Sequence, residues 1–556
     1  MTQFNRRTLL SLAAMAGLAP TASALAAKGL SAGVFTHGLA SGDPLPDRVI
    51  LWTRFVTPDG QSGRIGWEVA KDEAFTQIVA KGGAIASPFN DYCAKVDARG
   101  LQPNGRYFYR FISASGMSPI GRTRTAPAAG HDPLTIALFS CSNLPFGHFN
   151  AYAHAAMRED IDLCVHVGDY VYEYPRGTYP SFDQALRGRW IEPAGEMIHL
   201  SDYYQRYASY RADPDLQEVH RQKPFAVVWD DHELANNAWW EGAQNHQPQS
   251  EGNWVDRRAA AFKAYVDWMP IRVFANEPLR IYRRLDWGQT ASILMLDTRL
   301  IGRDAQLDWQ EVMAPALAQG EGAVIKAVAD LAGGKLIDPK RSLLGARQEA
   351  WLESELKRAK ARGTDWAVLA QQVIFGQQFG SAEAARLLAP DAPAGRKQFI
   401  NLTGELAKRG LEWNLDSWGG YPAARGRAIA AMEQFGPNVS ILAGDSHNTW
   451  LNDIAGAKGL AGVEFAGGSV SSPGFETTLS QAAEGEREAV IRAANPLLKW
   501  ADVTNRGYGV LRYSPKALEA QWVASASITS RNPLAKSITK LVAETGASGL
   551  SGWMLA

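Results

Sequence analysis

The stretch Leu163-Cys164-Val165-His166-Val167-Gly168-Asp169-Tyr170-Val171-Tyr172 is the strongest constraint on how this chain can fold. Leu163, Val165 and Val167 alternate with the strand period, so a short buried strand is expected. Gly168 breaks the run and permits a turn with positive φ. Asp169 is thereby placed at the strand's carboxyl end, where open α/β sheets gather their ligands. Tyr172 follows three residues on. A carboxylate and a phenol on one turn suit hard metal ions, Asp169 bridging two and Tyr172 binding ferric iron as phenolate. Alone, the stretch also reads as a strand-end Asp capping the next helix, with Tyr172 as packing.

Four further strand-like runs end in polar clusters. Residues 135–139 lead into Cys141-Ser142-Asn143, and residues 225–229 into Asp230-Asp231-His232-Glu233. Residues 291–296 lead into Asp297-Thr298-Arg299, and residues 439–443 into Gly444-Asp445-Ser446-His447. Helical patterns intervene at 151–158, 201–211, 214–220, 254–268 and 345–357. This alternation predicts a mixed α/β sandwich with helices on the sheet faces. Carboxyl ends of such strands converge on one rim. Asp169, Asp231 and Asp445 supply hard oxygen there, while Cys141, Tyr172 and His447 supply thiolate, phenolate and imidazole, a set suited to two or three ions. Gathering the three carboxylates without cations would cost several kcal/mol.

Residues 1–27 read as a twin-arginine signal peptide. Asn5-Arg6-Arg7-Thr8-Leu9-Leu10 is followed by a short apolar run and the small-residue site Ala24-Leu25-Ala26. The run is too short for a stable membrane anchor. Residues 33–128 are expected to form a separate small β domain. Within them Leu101–Phe111 resembles the sandwich strand of immunoglobulin-like or fibronectin-like domains that carries a corner Tyr. Residues 133–525 form the expected α/β domain, and 526–556 an expected helical tail. Of the three cysteines, Cys93 and Cys164 read as core, whereas Cys141 stands in a polar strand-end turn. The formal net charge of +0 gives no basic excess for a nucleic-acid partner.

Gly168-Asp169-x-x-Tyr172, Asp231-His232-Glu233 and Gly444-Asp445-Ser446-His447 resemble a variant of the calcineurin-like metallophosphatase signature, in the form that purple acid phosphatases share. The PhoD-like alkaline phosphatase family is the closer resemblance. It rests also on His37-Gly38-Leu39-Ala40-Ser41-Gly42-Asp43-Pro44, Trp229-Asp230-Asp231-His232-Glu233, Asp267-Trp268-Met269-Pro270-Ile271-Arg272 and Asp297-Thr298-Arg299. It spans about residues 34–513, nearly all of the chain after the signal.

The resemblance implies an N-terminal β-sandwich, an α/β/β/α metallophosphatase sandwich, and a cluster of one ferric iron with one or two calcium ions. Cys141, Asp169, Tyr172 and His447 would hold iron; Asp169, Asp231 and Asp445 would hold calcium. Gln371-Gln372 stand where metallophosphatases carry a second-site histidine, which favours oxygen ligands and calcium. One departure is Trp418-Gly419-Gly420-Tyr421, where the family commonly reads Trp-Asp-Gly-Tyr. The implied reaction is hydrolysis of phosphate mono- or diesters by a metal-activated hydroxide attacking phosphorus in line. His232 is the expected general acid, and Arg299 the expected grip on a phosphoryl oxygen. A phosphate ester substrate, twin-arginine export to the periplasm or beyond, and a monomer are expected. A non-catalytic metal- or phosphate-binding protein would use the same carboxylates. A serine-nucleophile phosphatase would need more histidines at the strand ends than this chain has.

Overall fold

In the computed structural model, residues 29–546 and 549–556 are described; the twin-arginine segment lies outside them. Among the described residues, an eleven-stranded and a seven-stranded sheet dominate a mixed α/β architecture. The centre of the larger sheet is three parallel strands, Leu134–Phe139, Leu163–His166 and Pro224–Val227. The smaller sheet carries the parallel strands Ala291–Met295, Trp366–Ala370 and Asn438–Ala443. All of these read as near-continuous apolar runs, as expected of strands covered on both faces.

The two sheets share one core, in which Leu138 and Val165 join Ile293, Val368, Leu442 and Phe465. Helices Asn150–Met157, Leu200–Arg211, Pro214–Gln222 and Trp254–Trp268 cover the outer face of the larger sheet through Tyr152, Tyr207, Val219 and Trp268. Helices Gly345–Ala361 and Pro422–Phe435 cover the smaller sheet through Leu352, Leu356 and Met432. The result is a helix–sheet–sheet–helix layering that brings the strand ends to one rim.

The N-terminal strands differ from the expected separate domain. Strand Val34–Leu45 pairs parallel with Pro224–Val227, so Val34–Leu45, Arg48–Val56 and Cys93–Arg99 extend the larger sheet. A second layer, built on Gly63–Ala70, Ile78–Ala86 and Arg106–Ser113, closes a satellite core around Leu51, Phe55, Val69 and Tyr109. Within this layer Tyr107 Oη accepts the Gln102 N–H at 2.8 Å.

The joint explains the Ser41-Gly42-Asp43 motif. A Cβ on Gly42 would lie 2.2 Å from the Pro270 carbonyl oxygen, so only glycine lets the segments meet. Buried Asp43 then pairs with buried Arg283 at 2.6 Å and accepts the Arg272 N–H at 2.7 Å.

The C-terminal segment is also a correction. Residues 526–556 hold strand Ala535–Gly546, antiparallel to Ala517–Ser525, and not a helical tail. Ile538, Thr539, Val542 and Thr545 are β-branched, and Leu541 and Ala543 alternate inward. That is the pattern of a half-buried strand.

Candidate metal centre

The rim is built from residues held in strained backbone. Cys141, Asp169, Asp445 and His447 all have positive φ, at 58°, 56°, 62° and 59°. Each costs roughly 1–3 kcal/mol for a non-glycine residue and persists only where the surroundings over-determine it. Glu233 holds the turn at Asp169. Its buried carboxylate accepts the N–H groups of Asp169 (3.1 Å), Tyr170 (2.6 Å) and Asp230 (2.7 Å). Gly168 has φ of 109°, and a Cβ there would sit 2.3 Å from the Asp230 Cβ. The glycine in Gly-Asp therefore serves both the turn and the close approach of two strand ends.

The predicted soft-ligand residues meet. Ligand atoms of Cys141, Asp169 and His447 lie within 4.8 Å of one another. Tyr172 Oη donates to Asp169 Oδ2 at 3.0 Å and stands 3.2 Å from His447 Nε2 and 2.9 Å from Ser472 Oγ. His447 Nδ1 lies 2.9 Å from the Pro473 carbonyl, which fixes the proton there and leaves Nε2 as the free donor atom.

The predicted oxygen ligands meet beside them. Asp169 groups with Asp231 and His232, and Asp231 groups with Asp230 and Asp445, each set within 4.8 Å. Buried Asp169 Oδ1, Asp230 Oδ2 and Asp231 Oδ1 have no hydrogen-bond partner. Burial pushes the Asp445 carboxyl up to about 7, with Asp416, Asp231 and Asp169 adding repulsion against Arg299. Burial likewise raises Asp230, and burial and the Asp169 charge raise the Cys141 thiol and the Tyr172 phenol. Four donors that resist ionisation, Cys141, Tyr172, Asp230 and Asp445, beside orphaned carboxylate oxygens fit cations that would supply the missing charge.

Arg299 is placed differently from the expectation. It is fully buried, and its three nitrogens face Asp230, Asp416 at 2.8 Å and Asp445 at 2.9 Å, with Asp231 at 3.6 Å. No nitrogen is left for a phosphoryl oxygen. The guanidinium instead gathers the carboxylates: burial pushes Asp231 up, but Arg299 and His232 outweigh it and bring its carboxyl to about 2.

His232 faces the cleft. Its Nδ1 lies 2.7 Å from Glu173 Oε2, and its ring packs on Tyr172 with centroids 4.4 Å apart. Burial alone would lower its pKa, but Glu173, Asp231 and Asp169 outweigh this and raise it well above 6.5. A cleft of about 260 Å³ opens here, lined by His232, Asp169, Asp231, Asp445, His447 and the side walls Tyr174, Tyr179, Asn236 and Asn237.

Two further expectations change. Gln371 and Gln372 are buried and spent on the fold: Gln372 accepts from Thr298 N and Oγ1 and donates to the Leu296 carbonyl, while Gln371 accepts from Trp418 Nε1. Position 419 is tightly packed. A Cβ there would sit 2.8 Å from Glu412 Oε2, so Glu412, paired with Arg425, already supplies a carboxylate at that spot. Sequence reasoning passed over Asp230, Asp416 and Glu173. Asp230 stands inside a quoted motif and Glu173 directly follows Tyr172, which was the available signal; Asp416 had none.

The family model described as PhoD-like phosphatase matches residues 136–522, and that of the PhoD-like phosphatase N-terminal domain matches residues 20–127. The chain is 36% identical over 468 residues to alkaline phosphatase D of Bacillus subtilis (strain 168), covering 81% of this chain and 71% of that protein. A solved structure of PhoD is similar with a TM-score of 0.75 and 31% identity, covering 95% of this chain and 94% of that one.

Proposed function

This chain belongs to the PhoD-like phosphatase family and is a phosphoric ester hydrolase, and on that premise we propose that it is an exported, iron- and calcium-dependent alkaline phosphatase with phosphodiesterase capacity. The observation that carries the reading is the sharing of Asp169 between the Cys141–His447 grouping and the Asp231–His232 grouping. Cys141, Asp169, Tyr172 and His447 would hold ferric iron. Asp169, Asp231 and Asp445, with Asp230 behind them, would hold calcium. When bound, such ions supply Lewis acidity toward phosphoryl oxygens and a nucleophile at neutral pH.

The protein's own groups do the rest. His232, kept protonated by Glu173, gives its Nε2 proton to the departing ester oxygen. Asn236 and Asn237 line the cleft beside it and hydrogen-bond the ester. Tyr174 and Tyr179 wall the cleft and limit water. Arg299 is a positioning residue that holds Asp230, Asp231 and Asp445 together.

The N-terminal layers act as an immunoglobulin- or fibronectin-like sandwich fixed to the catalytic sheet. Arg6-Arg7 direct twin-arginine export to the periplasm or beyond, and the enzyme works as a monomer. No helix among the described residues is long and apolar enough to cross a membrane. The test is metal analysis of protein exported by its native host, with turnover of p-nitrophenyl phosphate and bis-p-nitrophenyl phosphate. Iron and calcium with turnover of either ester support the proposal. Metal-replete protein that turns over neither ester would instead be a binding protein on this scaffold.

A further inference from the structure

Behind the loop that carries Asp445 and His447 lies a second cavity, and it shares no lining residue with the metal cleft. Its volume is about 240 Å³. Phe379, Phe399, Trp413, Trp450, Phe475 and Leu479 supply its apolar walls. The rings stand edge to face around the space: Trp413 and Phe399 have centroids 6.3 Å apart at 90°, and Trp450 and Phe475 6.0 Å apart at 73°. Ring faces arranged in this way favour an aromatic guest. The space exceeds the roughly 150 Å³ cavity that admits one benzene, so a ring with a short side chain fits.

Gln378 decides the chemistry of that guest. It is 5% exposed and lines the cavity, yet neither its side-chain oxygen nor its nitrogen has a hydrogen-bond partner. Its backbone is fixed on both sides, by Glu412 Oε2 on its N–H at 3.0 Å and by the Trp413 N–H on its carbonyl at 3.2 Å. An unpartnered amide in an aromatic box calls for a group that both donates and accepts. Arg396 stands exposed on the rim and makes no ion pair among the described residues. Its planar fork suits a carboxylate.

We infer that this cavity is a binding site for a small aromatic carboxylate bearing a hydroxyl or amide group. The ring packs among Trp413, Trp450 and Phe475, the polar group meets Gln378, and the carboxylate meets Arg396. The site bears on the metal loop, because Trp450 Nε1 donates to Ser446 Oγ at 2.6 Å, between Asp445 and His447. Phe475 N–H also donates to Asn448 Oδ1 at 3.0 Å, one residue beyond His447.

The test titrates 4-hydroxyphenylacetate into the full chain by calorimetry and tryptophan fluorescence, with inorganic phosphate saturating the metal cleft. One-to-one binding with Kd below about 1 mM is expected for a ligand of this size. Arg396→Ala, an exposed change that leaves the core intact, weakens the acid about tenfold and leaves 4-hydroxyphenylacetamide unaffected. Gln378→Leu weakens both. No saturable binding, binding abolished by phosphate, or equal affinity for the acid in Arg396→Ala overturns the inference.

Discussion

His232 Nδ1 lies 2.7 Å from Glu173 Oε2, and the Glu173 charge favours the protonated imidazole. Glu173 is fully buried and also accepts from Asn236 N and Asn245 Nδ2, so it cannot turn away from the imidazole.

Glu173→Gln is therefore expected to lower turnover about 10–100-fold for esters with poor leaving groups. Esters with good leaving groups, such as p-nitrophenyl phosphate, lose less. His232→Ala shows the same dependence while retaining metal. Steady-state kinetics across leaving groups of graded acidity check this; an equal loss for all of them would remove the general-acid role.

Tyr172→Phe keeps nearly the same ring volume, so the fold survives. If Tyr172 binds ferric iron as phenolate, the iron-loaded protein is coloured, and the variant loses or strongly shifts the visible band and loses most activity. Tyr170→Phe does neither, because the Tyr170 hydroxyl faces His220 at 2.9 Å instead. Visible spectra with iron quantitation decide; an unchanged spectrum at full iron content would take Tyr172 out of the site.

Asp43→Asn removes one charge from the buried Asp43–Arg283 pair while leaving a residue type that tolerates the positive φ of 45°. Losing one partner of such a pair costs about 3–5 kcal/mol. Arg283→Met is expected to cost a similar amount, and the double variant less than the sum. Chemical denaturation of the four proteins measures this, with the pairing of the N-terminal strands to Pro224–Val227 as the structure at stake.

His166 is buried, and burial lowers its pKa to about 3, from 6.5 in the unfolded chain. Between these values the unfolded chain binds more protons. Stability therefore rises with pH from about 3 to 6.5 and is level above, with this one group contributing on the order of 5 kcal/mol across the window. His166→Gln keeps a hydrogen-bonding group opposite Tyr152 Oη, 3.0 Å away in the parent protein, but does not titrate. Unfolding free energies of metal-stripped protein between pH 4 and 6.5 are expected to rise less steeply in the variant. Identical slopes would show that His166 is not the acid-sensitive group.

By itself the sequence determined which residue types stand at the strand ends and in what order. The apolar run at 163–167 predicted a strand, and Leu163–His166 is one. The same local period placed Asp169, Asp231 and Asp445 at carboxyl ends, and those residues do fall into overlapping groupings. Period and punctuation are local properties, so a single chain displays them. Partnership is not local. That Arg299 is spent on Asp230, Asp416 and Asp445 depends on contacts 69, 117 and 146 residues apart in sequence. That the N-terminal strands extend the catalytic sheet depends on Gly42 meeting Pro270, and the C-terminal strand exists because Ala517–Ser525 offers it an edge. Only the tertiary structure decided these, because a buried charge or an open sheet edge takes whichever partner the packing of distant segments brings within a few ångströms.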